Sequence, residues 1–274
     1  MSQQAPVHRL RASHLAGSAF ATWFGSFADW LRAIVFPLVV LFLVYFVLWQ
    51  FLLSQSLEEI SRQSMAGSFR DTATVAVNTI FFTLLGVAWH RYALLGERPR
   101  LLPALGMPHL RYIIWLLIIG LLLFLAFAVI AALAAGSLAR GGMPLPAGVL
   151  AVVGFSGLLY LFGRVSPIFP AFAVGDRLSL LGAWRLTRGH GLPIFFGYLL
   201  VLIPLFFLAA LLVTFVMRGI LSEQLEPGQV MSAAELQAAL LDGYWSTQSV
   251  YAAIALVGAT LGVGVASAIY QDLT

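Results

Sequence analysis

Three stretches of this chain, 33–53, 112–135 and 193–217, contain not one charged residue. Lipid offers no hydrogen-bond partners, so a chain crossing it must satisfy its backbone amides internally, and a helix of about 20 apolar residues does this across the hydrocarbon core. Three further stretches fit the same reading with more polar content: 74–90 and 147–163, which hold Asn78, Thr79, Thr83 and Ser156, and 247–270, rich in Gly and Ala. The expectation is an all-α polytopic transmembrane bundle of six spans. With 61% of its 274 residues hydrophobic and 9% charged, the chain lies far from a soluble domain, which is about half apolar and a quarter charged. A water-soluble enzyme is excluded, and the spans leave no stretch long enough for an independent extramembrane fold.

The spans divide the arginines unevenly. All 15 basic residues are Arg; Arg9, Arg11, Arg32, Arg91, Arg98, Arg100, Arg111, Arg164, Arg177, Arg185 and Arg188 fall on one side of a six-span arrangement, and Arg62, Arg70, Arg140 and Arg218 on the other, a division of 11 to 4. Positive loops stay in the cytoplasm, so both termini are expected there. The first apolar run is longer than the core of a signal peptide and lacks a short basic leader, so it reads as an anchor. The pI near 9.8 then follows from topology, and no nucleic-acid partner is implied.

Residues 1–32 form a cytoplasmic tail and an amphipathic segment, and 33–274 the six-helix transmembrane domain. In the tail, Phe20, Trp23, Phe24, Phe27, Trp30, Leu31 and Ile34 recur at three- and four-residue intervals with Ser18, Thr22, Ser26 and Asp29 between them. That spacing predicts an interfacial helix held by aromatic burial, or else an extension of the first span as one tilted helix. After the fourth span, Pro167 and Pro170 forbid an unkinked helix. Asp176 is then placed to cap a 12-residue helix with Arg185 and Arg188 in its last turn and Gly189 as its stop. Ser232 and Glu235 spell a capping box for a short helix on the opposite side.

Candidate chemistry is sparse. Gly154, Phe155, Ser156 and Gly157 spell the GxSG by which rhomboid intramembrane proteases present a nucleophile, but the partner His expected on the sixth span is missing, and a serine without a base is inert. The absence of Cys removes disulfides, thiolate nucleophiles and Cys-ligated metals; the His, Asp and Glu spacing suits no metal, and no cofactor motif appears. Catalytic residues, metal and cofactor are therefore all expected to be none. Gly258, Gly262 and Ala266 repeat every four residues, with Gly264 and Ser267 flanking them, a pattern that lets helices approach closely within the bundle or in a homodimer. Asn78 is the only strongly polar side chain deep in a span, and an interhelical hydrogen bond suits it. Arg91, Arg98, Arg100, Arg164, Arg177, Arg185 and Arg188 concentrate in two inner loops. Topology alone calls for Arg there, but converging guanidinium groups also suit an anionic lipid head group.

The run from Arg164 through Pro170, Ala171 and Asp176 to Ala183, Trp184, Thr187, Arg188 and Gly189, followed by a long apolar span, resembles the membrane domain attached to some bacterial glycerophosphodiester phosphodiesterases. Stand-alone six-helix inner-membrane proteins share it. His90, Arg91, Leu94, Leu95, Gly96 and Glu97, and Ala268, Tyr270, Asp272 and Leu273, match positions favoured there. The resemblance implies a fold and a bacterial inner-membrane location; it transfers no activity, because the catalytic barrel is absent. The expected role is a non-catalytic accessory or scaffold that binds anionic lipid or a membrane-protein partner. The alternatives are a passive transporter or channel for small molecules and a lipid-modifying enzyme; active, ion-coupled transport is disfavoured by spans without central charges.

Overall fold

The computed structural model describes residues 10–53, 64–101, 104–139, 144–224 and 244–274. The expected capping box at Ser232 and Glu235 lies outside them. The described chain is all-α: α1 (Ala12–Gly25), α2 (Phe27–Leu53), α3 (Ser64–Leu95), α4 (Met107–Ala139), α5 (Pro144–Val165), α6 (Ile168–Ala173), α7 (Leu180–Leu186), α8 (Gly191–Gln224) and α9 (Tyr244–Leu273).

Five helical stretches among the described residues, rather than the expected six, are long and apolar enough to cross a membrane: Phe27–Val44, Met107–Gly136, Gly148–Ala173, Gly191–Gly219 and Ala252–Leu273. The remaining stretch, 74–90, is helical within α3. Asn78, Thr79 and Thr83 dilute its apolar run, and Arg70 and Asp71 on one side and Arg91 on the other bound it closely. Two of its threonines turn inward to their own backbone, Thr79 Oγ1 donating to Val75 O and Thr83 Oγ1 to Thr79 O, both at 2.7 Å. Such bonds satisfy hydroxyls on a helix whose neighbours are mostly apolar; Thr83 is buried in the bundle.

The long helices run antiparallel to their chain neighbours. Trp30, Ala33 and Ile34 near the start of α2 pack on Phe81, Leu85 and Trp89 near the end of α3. Val87 in turn meets Tyr112 at the start of α4. Gly163 at the end of α5 lies against Ile194 at the start of α8. The final helix, α9, threads between these pairs and is the most enclosed span, 44% buried against 6% for α4. Thr260 and Ser267 on α9 bond to Trp30 of α2 and His90 of α3.

Buried side chains cluster at one end of the bundle. The three apolar clusters draw on Leu15, Ala16 and Ala19, on Trp30 to Ile34, on the last turns of α3 and α5, on the first turns of α4 and α8, on α6, and on the last half of α9. Toward the opposite end the apolar side chains point outward, among them Phe42, Phe124, Phe206 and Phe215, each more than 60% exposed. A soluble monomer rarely shows such a girdle, and lipid is its natural solvent. The protein is a multi-pass membrane protein by these criteria. α8, with 34 residues, is about 51 Å long at 1.5 Å per residue, well beyond a hydrocarbon core of about 30 Å.

The aromatic segment before the first span is two helices, not one. It breaks at Ser26, with Phe20, Trp23 and Phe24 on α1 and Phe27, Trp30, Leu31 and Ile34 on α2. Leu15, Ala16 and Ala19 are the buried face of α1, and they pack on α8 and α9. Trp23 bridges the break, its ring 5.5 Å from that of Trp30 in an edge-on contact.

Candidate functional site at the arginine-bearing end

The end of the bundle that holds the buried core also holds its polar chemistry. Gly96, with φ +67°, closes α3 in a left-handed conformation open to glycine at little cost. The reversal brings Glu97 back onto Arg91. The pair is bidentate, Nε to Oε2 at 2.9 Å and Nη2 to Oε1 at 2.7 Å, while Nη1 donates to Ala173 O at 3.0 Å. Arg91 therefore ties the end of α3 to the last carbonyl of α6.

Arg164 is only 6% exposed, and among the described residues no carboxylate pairs with it. Three donors are satisfied by neutral oxygens: Nε by Thr187 Oγ1 at 2.8 Å, Nη1 by Tyr160 OH at 3.2 Å and Nη2 by Trp184 O at 2.7 Å. Its guanidinium carbon lies 4.0 Å from the centroid of the Trp184 ring, a cation–π contact. Thr187 completes the knot: its one hydroxyl hydrogen goes to Ala183 O at 2.8 Å, and Arg164 O lies 3.1 Å away on the other helix, within reach of a shared bond. α7 is thereby clamped against the end of α5.

α7 is shorter than expected and capped by another residue. Ser179, not Asp176, is its N-cap, with Oγ accepting from Gly182 N at 3.0 Å. Asp176 instead accepts from Tyr270 OH at 2.5 Å, holding the end of α9. The tertiary acceptor role prevails because the helix starts at Leu180, too far along the chain for a cap at 176. Thr187 is the C-cap of α7, and Gly189, at φ +84°, closes the turn beyond it rather than serving as the helix stop. The helix breaks at Pro167, the N-cap of the separate, fully buried α6, whereas Pro170 is accommodated in the first turn of α6, where its missing N–H is not needed.

His90 sits in the buried layer beside these elements. Its Nδ1 lies 2.7 Å from Ser267 Oγ. Ser267 Oγ also lies 2.9 Å from Val263 O, so the serine bridges His90 of α3 to the backbone of α9. His90 Nε2 has no partner among the described residues. No group of three His, Asp or Glu within reach of one metal ion occurs among them.

The seven arginines singled out from the sequence divide into two kinds. Arg91 and Arg164 are occupied by the bonds above, whereas Arg98, Arg100, Arg177, Arg185 and Arg188 are exposed and make no ion pair among the described residues. Arg164 and Arg185 are brought to the same short helix; no contact joins them to Arg98 or Arg100. Of the small residues on α9, Ala266 is buried and Gly258 lies against Leu205, while a side chain at Gly262 would meet nothing within 4 Å. The close approach belongs to Gly264, where a Cβ would stand 3.0 Å from the Ala19 Cβ. Gly154 of the GxSG run faces Ile130, 2.6 Å from where a Cβ would lie, so helix packing accounts for it.

An apolar cleft of about 360 Å³ opens between α4, α5 and α7, lined by Leu122 and Ala126 of α4, Leu161 of α5, and Leu180, Leu181 and Trp184 of α7 among others. Sequence reasoning missed it. The signal was present in α7, where Leu180, Leu181 and Trp184 share one side of a single helical turn, but nothing local says which helices that side faces. No protein-family model, no curated protein and no solved structure matches this chain.

Proposed function

We propose that this protein is an integral component of a bacterial cytoplasmic membrane, with both termini cytoplasmic, that acts as a non-catalytic accessory or scaffold and holds anionic lipid head groups at its arginine-bearing end. The observation that carries the reading is the state of Arg177, Arg185 and Arg188. They are exposed around a short helix whose other exposed residues are Leu180, Leu181 and Trp184, the composition of a segment lying in the head-group layer. An arginine beside an anionic leaflet is worth on the order of 1 kcal/mol, and Arg164, buried without a carboxylate, adds to the positive potential there.

The chain's two ends support six crossings over five. His14 Nδ1 of α1 lies 3.2 Å from Asp272 of α9, and Ala19 lies on Gly264. A chain that starts and finishes on one side of a membrane crosses it an even number of times, so α3 serves as the sixth span. The soft likeness to the membrane domain of glycerophosphodiester phosphodiesterases agrees with that count.

The test is lipid analysis. Wild type and the Arg177→Ala, Arg185→Ala, Arg188→Ala triple variant are purified under identical conditions and their bound lipids weighed by mass spectrometry. At about fivefold per kcal/mol, the ratio of anionic to zwitterionic lipid should fall at least several-fold in the variant. An unchanged ratio overturns the reading.

A further inference from the structure

We infer that the cleft between α4, α5 and α7 is an acyl-chain site, occupied by one fatty chain of a membrane glycerophospholipid whose phosphate lies at Arg185. The inference rests on the anionic-lipid reading above and names where that lipid sits.

Three observations select this occupant. The cleft is apolar, and its mouth lies among exposed side chains of two membrane-spanning helices, Leu122 on α4 at 52% and Leu161 on α5 at 44%. What reaches such a mouth in a bilayer is hydrocarbon. Its volume of about 360 Å³ lies at the small end of ligand sites, which run from about 300 to 1,000 Å³, and suits part of one chain rather than a folded segment. The rim carries the complementary charge. At about 100° per residue, Arg185 stands some 40° around α7 from Leu181, so a chain lying under Leu181 brings its glycerol phosphate to the guanidinium.

Arg164 gives the cleft a rigid roof. Its guanidinium stacks on Trp184 and bonds both Trp184 O and Thr187 Oγ1. Trp184 is thus held with one face on the cation while it also lines the cleft. Because lipid tails are as apolar as the cleft, chain burial by itself supplies little selectivity. The groove fixes position and the arginine chooses the head group, so the two contributions separate by mutation.

The experiment uses the full chain in detergent, with native mass spectrometry of adducts formed with dioleoyl phosphatidylglycerol, dioleoyl phosphatidylcholine or sn-glycerol 3-phosphate. The expected result is a single phosphatidylglycerol adduct, a weaker phosphatidylcholine adduct and none with glycerol phosphate. Ala126→Phe fills the cleft and should remove both lipid adducts. Leu181→Asn, at a rim position 58% exposed where packing is not at stake, should weaken both. Arg185→Ala should lower the phosphatidylglycerol adduct about fivefold and the phosphatidylcholine adduct by less, because choline offsets the phosphate charge that the arginine meets. Adducts unaltered by both Ala126→Phe and Leu181→Asn overturn the cleft as the site, even if head-group preference persists and the broader lipid reading stands. Equal adducts from both lipids in the wild type overturn the broader reading instead, while loss of both in Ala126→Phe keeps the chain in the cleft.

Discussion

Trp30 and Thr260, 230 residues apart in the chain, are joined by a hydrogen bond of 3.0 Å from the indole Nε1 to the threonine Oγ1. The Thr260 hydroxyl hydrogen goes to Leu256 O at 2.8 Å, so its oxygen is free to accept. Both side chains are buried, and the bond closes the bundle by tying the first span to the last. Thr260→Val keeps the shape and leaves the indole N–H unpaired, which should cost about 1–2 kcal/mol. Unfolding in mixed micelles measures it. In a Trp30→Phe background the same substitution should cost much less; equal losses in both backgrounds would show that the bond contributes nothing.

Gly264 and Gly262 differ sharply for neighbours on one helix. A Cβ at Gly264 would stand 3.0 Å from Ala19 Cβ and 3.1 Å from its Cα, whereas one at Gly262 meets nothing within 4 Å. Gly264→Ala should force α1 away from α9, at the roughly 1–3 kcal/mol typical of overpacking. Gly262→Ala should be neutral or slightly stabilising. Thermal unfolding of the two variants compares them directly, and the reverse ranking would contradict the packing of α1 on α9.

Arg164→Lys is not a conservative change. The ammonium is a compact point charge without the planar fork, so it cannot hold Thr187 Oγ1, Tyr160 OH and Trp184 O together or cover the indole face. Stability should fall by about 2–3 kcal/mol, with α7 more open to proteolysis. Arg185→Lys and Arg188→Lys, at exposed positions, should leave the unfolding midpoint in place. Comparable loss in all three would mean that Arg164 has no special structural role.

Topology is checked by reporter fusions after Gly67, Gly141, Gly228 and the final residue. Six spans put the first three outside the cytoplasm and the last one inside. A cytoplasmic signal at Gly228 or an external one at the C-terminus rules out that arrangement.

The sequence alone determined that the chain is a helical membrane bundle, because the cost of putting a charge or an unpaired amide in hydrocarbon is paid locally, residue by residue, along each apolar run. A break of the same local kind was legible too, at Pro167, which separates the end of α5 at Val165 from the start of α6 at Ile168. The structure alone decided what depends on partners distant in sequence. Asp176 was free by local rules to cap a helix, but Tyr270, 94 residues away, claims its carboxylate and Ser179 caps instead. Gly258, Gly262 and Ala266 look alike on a wheel, yet the closest approach falls to Gly264 because α1 crosses α9 there. Arg164 reads as one more positive-inside residue, indistinguishable from Arg185, until the return of α7 buries the first and leaves the second exposed. The cleft is the same case at larger scale: three leucine-bearing helices supply its walls, and only their packing leaves the space between them. Solvation is additive along a chain and can be read in order, whereas packing is a property of pairs and appears only when the pairs have met.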